Sequence, residues 1–544
     1  MKINEFTRTG ATSEEISERE QRHRILAREA AEESIVLLKN DGVLPLPTGI
    51  PVALFGAGAG LTVKGGSGSG DVNVRHSVSI YDGFTLARVR VTSKGWIEDY
   101  EERYELARQA WKKQILDECG GSTDGQLFFD TYTSHAFEMP EGRPIEDTDV
   151  QDAKTAVYVI SRVAGEGSDR HLAQGDYYLT DHELEDLRVL ATLVEKIVIV
   201  INAGAPIDLT VLEAMPEVKA ILFMGQAGEE GGNACARILL GFVNPSAKLT
   251  ATWAKHYMDY PGAMEFSDVR AQLDEDNVFD RDALLARSRY EEGIYVGYRY
   301  FDSFGVTPRY HFGHGLSYTS FVLTAEATRA AADGLYIPVT VENTGNPYAG
   351  KEVVQVYAAC PQPAAISGTD GVKAAASGEM AETLTEDAGN GGAGVKASAQ
   401  AKVEAKEFKR LVAFRKTRLL APGEQESMTL HVDGRALASF RTDYDAAHGA
   451  WVIEAGSYAI FVGSSSEESR LQLAGVVEVA AEKVLEIVPH ICPVKDADFH
   501  ECAVPVESLL GDDEAGGAAG EADRGTLREA GLDAGARRDR VGAG

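Results

Sequence analysis

Short, continuously apolar runs alternate with longer amphipathic stretches through the first half of the chain. The runs are Pro51–Phe55, Ala156–Ile160, Ile197–Ile201 and Ala220–Met224. Continuous β-branched runs of this length are typical of parallel strands that helices cover on both faces. The intervening helices are predicted at Ile97–Cys119, His182–Glu195 and Glu229–Leu240. The pattern predicts an α/β sandwich with a mostly parallel sheet over residues 20–260, after an N-terminal arm at 1–19.

The first element of this region is predicted to be a helix. Thr12 and Glu15 have the spacing of a capping box, in which a hydroxyl and a carboxylate satisfy the first backbone amides of a helix. Apolar residues follow at helical intervals, at Ile25, Leu26, Ala30, Leu37 and Leu38. These positions are therefore assigned to one helix.

Beyond a connector at 261–314 the hydrophobic pattern changes to alternation. Apolar and polar residues alternate through Tyr336–Val341, and further strands are predicted at Val353–Tyr357, Met428–Val432 and Trp451–Val462. This pattern predicts a small antiparallel β-sandwich over residues 315–480. Residues 362–405 interrupt it with Ala, Gly, Ser and Thr and few large apolar side chains, a composition that predicts a disordered insertion.

Residues 481–544 are predicted to be a linker and a low-complexity tail. From about Gly511 the chain consists almost wholly of Gly, Ala, Asp, Glu and Arg. Two interpretations stay open at this point. The tail is either a disordered C-terminus, or the product of a shifted reading frame in GC-rich DNA that does not belong to the evolved protein.

Charge and composition exclude several classes of partner. The 544 residues carry a formal net charge of −31, which argues against nucleic acid and anionic membrane surfaces. No apolar run approaches the length of a transmembrane helix, and the N-terminus lacks the apolar core of a secretory signal. The five cysteines are scattered without a CxxC pair, so neither a zinc site nor a disulfide framework is indicated. The expected location is cytoplasmic.

A carboxylate flanked by glycines follows the second of the apolar runs. Gly165, Glu166 and Gly167 are followed by Arg170 and then by the start of a predicted helix. A glutamate between two glycines lies on a segment that bends freely, so its carboxyl can approach another group. On spacing alone, a solvated acid beside an arginine and a catalytic acid are both open.

Four stretches together resemble glycoside hydrolase family 3, the β-glucosidase family. They are Ala27–Pro47 (AREAAEESIVLLKNDGVLPLP), Lys64–Asp71 (KGGSGSGD), Ser161–Arg170 (SRVAGEGSDR) with Gly175–Glu183 (GDYYLTDHE), and Tyr295–Phe321. Supporting stretches are Ile201–Asp208, Met224–Trp253 and Phe408–Glu424. All occur in the order that the family has, and they cover about residues 20–480.

The resemblance implies hydrolysis of β-linked glucosides with retention of configuration. It implies an α/β sandwich that supplies the acid/base, a fibronectin type III-like domain, and a (β/α)8 barrel that carries an aspartate nucleophile. This chain begins at the sandwich, as in a permuted branch of the family, so the barrel is expected shortly after residue 500. Neither a serine-aspartate-tryptophan segment nor the lysine-histidine-phenylalanine segment of the barrel's substrate pocket is found. Phe266–Val269 and Ala254–Tyr257, which follow the last predicted strand and helix of the sandwich, are superficial matches and are rejected. The nucleophile is therefore expected to be absent from this sequence, and three explanations stay open: truncation, a frameshifted barrel, and a barrel supplied by a separate chain.

The resemblance assigns roles to particular residues. By position, Glu166 is the general acid/base. Ser67 and Ser69 lie in a segment that lines the sugar pocket, with Ser69 the better candidate for a hydroxyl contact; a tight turn that only packs domains together is the alternative. Arg170 lies beside the sugar and is expected mainly to brace the segment of Glu166. No metal or organic cofactor is implied, because two carboxyls and water suffice for this chemistry.

Other features receive structural interpretations. The aromatic cluster Tyr295, Tyr298, Tyr300, Phe301, Phe304 and Tyr310 is predicted to be an apolar latch between the two domains rather than a sugar-stacking surface. Asn202, Glu229 and Glu230 are predicted to be structural. Gly56 and Gly58 begin a dinucleotide-binding pattern, but Leu61 stands where its third glycine belongs.

Three functions follow from this reading. The first is a family 3 polypeptide that supplies the general acid/base for hydrolysis of a β-linked glucoside or related oligosaccharide. The second is a non-catalytic carbohydrate-binding or scaffolding protein, with one half of a split enzyme as a variant. The third, a nucleotide-binding α/β protein, rests on the glycine loops alone.

Overall fold

A computed structural model of the chain describes residues 14–67, 70–122, 124–135, 137–163, 171–263, 292–361, 406–442, 444–445 and 447–489. Nearly all of them belong to one compact unit, which comprises Met1–Pro361 and Glu407–Cys502. A second unit comprises Gln362–Lys406 and Ala503–Gly544, and only Lys406 of it is among the described residues. The insertion predicted at 362–405 and the tail from Gly511 therefore lie outside the described residues.

The first part of the main unit is an α/β sandwich. Its elements are α1 (Glu18–Glu32), β1 (Val36–Asn40), β2 (Ala53–Phe55), α2 (Ile80–Leu86), α3 (Lys94–Glu118), α4 (Gly125–Ser134), α5 (Asp147–Val150), β3 (Thr155–Ser161), α6 (Asp181–Leu193), β4 (Lys196–Asn202), α7 (Thr210–Ala214), β5 (Val218–Phe223) and α8 (Gly231–Leu239). The strands form one sheet in the order β1-β5-β4-β3-β2. Neighbouring strands from β2 to β5 run parallel, whereas β1 is antiparallel to β5.

The four predicted strands are present, and their side chains explain their composition. Every residue of β2 is buried, as are all but the first residues of β3 and β4. Helices cover both faces of such a sheet, so each strand needs apolar side chains in both directions. On one face, Trp96 of α3 packs edge-on against Phe55 at 5.4 Å and stacks on Tyr100 at 5.6 Å. Among the helices in the described ranges, none has the length and apolar character needed to cross a membrane.

The N-terminal helix differs from its prediction at both ends. Its capping box is formed by Ser17 and Glu20, where the Ser17 hydroxyl accepts from the Glu20 amide at 3.2 Å and the Ser17 amide donates to the Glu20 carboxylate at 2.8 Å. Thr12 lies outside the described residues. Leu37 and Leu38 belong to β1 and not to the helix, so that assignment was wrong. The apolar positions fit both periods, and pairing with β5 decides the outcome because it satisfies the backbone of this stretch.

The second part of the unit is all β. After α9 (Tyr298–Ser303) come β6 (Phe321–Ala325), β7 (Arg329–Ala331), β8 (Gly334–Asn343), β9 (Val353–Ala359), β10 (Arg410–Lys416), β11 (Gln425–Asp433), β12 (Ser439–Arg441), β13 (His448–Ile453), β14 (Gly456–Gly463), β15 (Leu471–Val479) and β16 (Lys483–Pro489). They form antiparallel sheets in the orders β10-β9-β14-β15, β11-β8-β6 with β7 on β8, and β12-β13-β16. Strand β16 pairs with β13, so the β region continues past the boundary predicted at 480.

The aromatic cluster lies at the junction of the two parts, as the latch interpretation predicts. Tyr298 packs against Phe312 at 4.9 Å and Tyr357 of β9 at 5.9 Å, and its hydroxyl accepts from the amide of Leu411 in β10 at 2.7 Å. On the other side, the Tyr310 hydroxyl donates to a carboxylate oxygen of Glu213 at 2.8 Å. The connector therefore holds both parts through ring packing and through hydrogen bonds.

A buried ion pair strengthens the same junction. The Lys409 ammonium lies 2.7 Å from Oδ2 of Asp302 in α9, and only 2% of the lysine side chain is exposed. Burial raises the pKa of Asp302, and the lysine acts against that rise. Removing one partner of such a pair leaves a buried charge without compensation.

We expect Lys409→Met to destabilise the protein by about 3 kcal/mol at neutral pH, because the pair is broken while the volume is kept. The loss should shrink at acid pH, since the Asp302 carboxyl without its lysine takes up a proton more readily. Urea unfolding measures the effect, with Lys154→Met as control; Lys154 lies in an exposed pair with Glu195. Equal stability of the two variants at pH 7 would contradict the role of the pair.

Candidate functional site

The parallel strands end at one edge of the sheet, which is where open α/β sheets bind ligands. Strands β2, β3, β4 and β5 end at Phe55, Ser161, Asn202 and Phe223. Two of the motif-bearing segments start from this edge: KGGSGSGD follows β2, and SRVAGEGSDR begins at the last residue of β3. The edge is therefore the place where the sequence motifs and the fold coincide.

Asn202 joins the segments that leave this edge. It is fully buried, and its side-chain oxygen accepts from the amide of Val63 at 2.7 Å and from the hydroxyl of Ser161 at 3.1 Å. Its side-chain nitrogen donates to the carbonyls of Val63 at 2.9 Å and Gly225 at 2.8 Å. All hydrogen-bonding capacity of the amide is used. Its role is structural, as predicted, and it joins the segments after β2 and β5 to the last residue of β3.

The KGGSGSGD segment closes on itself next to this junction. The carbonyl of Lys64 accepts from the amide of Gly228 at 2.9 Å, and the Lys64 ammonium pairs with Asp71. A Cβ on Gly65 would lie 2.8 Å from the carbonyl oxygen of Gly70, so the two ends of the segment are in contact. Ser67 is half-buried between them.

Close packing against β3 explains the glycines at positions 56 and 58 without a bound phosphate. Gly56 has φ +90°, and a Cβ there would lie 2.3 Å from the carbonyl oxygen of Val159. A Cβ on Gly58 would lie 2.3 Å from the hydroxyl oxygen of Ser161. Both glycines are required because the segment after β2 runs directly against β3. This accounts for the glycines without the nucleotide that the third interpretation invokes.

Arg162 is the first residue after β3, and it is buried with its charge paired. Its guanidinium makes two parallel hydrogen bonds of 2.7 Å to the carboxylate of Glu183 in α6. Glu183 also forms a capping box with Thr180, whose amide donates to the carboxylate at 2.9 Å and whose hydroxyl accepts from the Glu183 amide at 3.0 Å. Arg162, three residues before Gly165, is thereby fixed to α6, the next helix along the chain.

Asp186, one turn further along α6, is a buried carboxyl with a perturbed pKa. Its Oδ2 accepts from the Tyr158 hydroxyl at 2.9 Å and lies 3.6 Å from Nε2 of His182. Burial raises the pKa of Asp186 to about 6, with Glu183 and Glu141 adding to the rise and His182 and Tyr158 opposing it. The group lies on α6, the helix that anchors Arg162, and contacts the middle of β3.

Asp186→Asn is expected to stabilise the protein at neutral pH. The native carboxyl keeps its proton to a higher pH than the unfolded one, so its contribution to stability falls from about pH 4 to about pH 6 and stays lower above that. An amide does not ionise, and the expected gain at pH 7 is on the order of 1 kcal/mol. Thermal unfolding from pH 4 to 8 tests this, with exposed Glu185→Gln as control. A variant that is destabilised equally at every pH would contradict it.

The structure describes one of the four predicted site residues. Glu166, Arg170 and Ser69 lie outside the described residues, and Ser67 lies inside them, at the edge described above. Their roles stay predictions. Within the described ranges, His, Cys, Asp and Glu side chains do not gather in any group of three or more that could hold a metal ion.

Sequence reasoning missed Arg162, Glu183 and Asp186 as individual residues, although the quoted motifs contain the first two. The spacing of Thr180 and Glu183 is that of a capping box, and this signal was available. No local pattern indicates that Glu183 binds Arg162, because the two residues meet only when α6 packs beside β3. Glu230 was predicted to be structural; it stands at the N-cap position of α8 without a side-chain capping hydrogen bond, and it pairs with Arg24 at 2.6 Å.

Comparison with known families agrees with this geometry. Residues 35–298 match the glycosyl hydrolase family 3 C-terminal domain, and residues 397–466 match the fibronectin type III-like domain. β-Glucosidase A of Butyrivibrio fibrisolvens is 32% identical over 83% of this chain and 50% of its own length. A β-glucosidase of Ruminococcus albus is 31% identical over 87% of this chain and 43% of its own length.

Solved structures give the same picture. The structure of β-glucosidase 3B from Thermotoga neapolitana in complex with α-D-glucose matches with a TM-score of 0.64 and 31% identity, over 86% of this chain and 55% of that one. A β-glucosidase from Paenibacillus barengoltzii matches with a TM-score of 0.63 and 29% identity, over 85% of this chain and 44% of that one. The chain spans about half the length of the curated relatives it matches.

Fold and sequence together define the chain as an α/β sandwich of the glycoside hydrolase type joined to a fibronectin type III-like domain. The chain matches glycoside hydrolase family 3 in its C-terminal domain and in its fibronectin type III-like domain.

Proposed function

We propose that this chain takes part in the retaining hydrolysis of β-glucosides and supplies the general acid/base, Glu166. The observation that carries the proposal is the position of the SRVAGEGSDR segment. It starts from the carboxyl edge of the sheet, beside KGGSGSGD, in a chain that matches the C-terminal domain of family 3. Relatives and structural neighbours named β-glucosidase support the substrate class.

The chemistry assigned to Glu166 has two stages. In the first, its neutral carboxyl donates a proton to the leaving-group oxygen while a second carboxylate attacks the anomeric carbon. In the second, the Glu166 carboxylate removes a proton from water, which attacks the glycosyl-enzyme and restores the original configuration. Retention requires the two carboxyls to be about 5–5.5 Å apart across that carbon. For the first stage Glu166 must be protonated near neutral pH, which burial or a neighbouring negative charge achieves.

The partner of Glu166 is proposed to be an aspartate on a (β/α)8 barrel. The barrel would lie outside residues 1–544, on the same polypeptide, on a separate chain or in a shifted reading frame. Most contacts that identify the sugar would then lie on the barrel, while Ser67, Ser69 and Arg170 approach the sugar from this chain. Neutral sugars need no complementary charge, which is compatible with a chain of net charge −31.

The test is turnover of an aryl β-glucoside by the purified chain, alone and together with the products of all three downstream frames. We expect negligible turnover alone, because removing the covalent partner eliminates most of the rate enhancement. Turnover should appear when a barrel-bearing product is added. Ordinary enzyme rates from the chain alone would overturn the assignment of the nucleophile to a barrel. Saturable binding of cellobiose without turnover under any combination would favour a carbohydrate-binding protein.

A further inference from the structure

We propose that Arg162 is a positioning residue for the segment that carries Glu166, and that it acts through its ion pair with Glu183. This inference rests on the proposed role of Glu166. It concerns residues that flank the segment, since the chain from 164 to 170 lies outside the described residues.

The Arg162 guanidinium contacts both ends of the stretch between β3 and α6. On the entry side Nη1 donates to the carbonyl of Ser161 at 2.9 Å. On the return side Nε donates to the carbonyl of Asp176 at 3.0 Å, and Nη2 donates to the carbonyl of Tyr178 at 3.3 Å. With the two bonds to Glu183, all five N–H groups of the guanidinium are used. A single side chain therefore fixes the points where this stretch begins and ends.

The backbone of Arg162 is fixed as well. Its amide donates to the carbonyl of Asn202 at 3.0 Å, and its carbonyl accepts from the side-chain amide of Gln226 at 3.4 Å. Segments after β3, β4 and β5 thus converge on one residue, four positions before Glu166. A restraint this close to the segment limits the directions in which the chain leaves the sheet.

The pair has the properties of a specific anchor rather than of an incidental surface contact. Only 8% of Arg162 is exposed, and the 13% exposure of the Glu183 side chain keeps solvent screening low. Planar, bidentate arginine–carboxylate contacts combine charge with fixed geometry, which an ammonium group cannot reproduce. Holding a reacting group in place matters because small displacements reduce the rate strongly.

Two substitutions separate this role from general destabilisation. Glu183→Gln keeps the capping box with Thr180, because glutamine serves at this helix position, but it removes the charge that Arg162 pairs with. Arg162→Lys keeps the charge and removes the planar fork. Arg188→Gln is the matched control, since Arg188 lies on the same helix in an exposed pair with Glu185.

The first readout is hydrogen exchange of the full chain, which needs no turnover. We expect the melting temperature to fall in both variants, because a buried pair is weakened. We expect exchange in peptides covering 163–178 to become about tenfold faster or more, while exchange in β3 and β4 stays within the range of Arg188→Gln. Exchange in 163–178 that stays within the control range in both variants would overturn the proposal. If Arg162→Lys does not fold, hydrogen exchange in Glu183→Gln alone decides whether the proposal holds.

The second readout is kinetic and is taken with the barrel-bearing product present. We expect kcat on an aryl β-glucoside with a poor leaving group to fall about 10- to 100-fold with little change in KM. A leaving group that departs without protonation should show a much smaller fall in the rate of glycosyl transfer to the enzyme. Equal losses for both leaving groups, or none, would overturn the positioning role. Glu166→Ala run in parallel tests the proposed function separately: if it leaves turnover intact, that function fails whatever the exchange experiment shows.

Discussion

Glu166→Ala should lower kcat for an aryl β-glucoside with a poor leaving group by about 10²- to 10⁴-fold in the barrel-complemented protein. The variant has no group to protonate the departing oxygen, so cleavage of the glycosidic bond becomes slow. With an activated leaving group, which departs as a stable anion, glycosyl transfer to the enzyme should stay fast. Hydrolysis of the glycosyl-enzyme should then limit turnover, because no base activates the water. Stopped-flow and steady-state kinetics with both substrates measure these effects.

The comparison of substrates distinguishes loss of the general acid/base from a general loss of folded, active protein. A small nucleophile such as azide needs no general base, so it should accelerate the second stage in Glu166→Ala and give the β-glycosyl azide. Glu195→Ala serves as control, since Glu195 is an exposed glutamate on the same domain. The assignment fails if Glu166→Ala turns over the poor substrate at the rate of the control. It also fails if both substrates are impaired alike and azide has no effect.

Asn202→Ala should be the most destabilising single substitution at the sheet edge, by about 3–5 kcal/mol. The asparagine makes four hydrogen bonds in a fully buried position, and alanine leaves the amide and carbonyl of Val63, the Ser161 hydroxyl and the Gly225 carbonyl without it. A buried polar group that loses its partner has given up its hydrogen bonds to water without a replacement, so the folded state is destabilised by the full desolvation penalty. Urea unfolding of the full chain gives the difference in the free energy of unfolding.

A second effect should accompany the loss of stability. Because Asn202 joins the segments after β2 and β5 to the last residue of β3, exchange of amides near Val63 and Gly225 should increase more than exchange in β1. Asn233→Ala is the matched control, since the Asn233 side chain donates to Glu230 at 3.0 Å and makes no other hydrogen bond within the described part of the chain. If Asn202→Ala lowers the free energy of unfolding no more than Asn233→Ala does, the sheet edge is not organised around Asn202.

Much of the fold is predictable from the sequence because parallel strands and long helices leave strong patterns. A strand buried on both faces, such as β4, must be apolar at every position, and few other structures require this. β1 was assigned to a helix because a few apolar residues at the end of a helical pattern fit either period. Its strand conformation depends on pairing with β5, which is distant in sequence. The pairing of β16 with β13 is equally non-local.

The residues of the candidate site also differ in whether a local sequence pattern predicts them. The glycine-flanked Glu166 is visible in the sequence because glycine on both sides of a carboxylate is a local feature. The residues that organise its surroundings are not, because Arg162 meets Glu183 and Asn202 meets Val63 only through packing of separate elements. A lone arginine after a strand and a lone asparagine at a strand end have many structural uses. Local spacing alone does not select among them.

The most direct measurement is the location of the sugar in a stalled intermediate. Glu166→Ala, complemented with the barrel-bearing product and treated with an activated β-glucoside, should accumulate a glycosyl-enzyme, because the base for the second stage is missing. Peptide mass spectrometry then identifies the carboxyl that carries the hexose. We expect the hexose on a barrel aspartate and none on residues 1–544, and we expect azide to release the sugar. Hexose on a carboxyl of this chain would contradict the account, as would an intermediate that turns over as fast as in the unsubstituted protein.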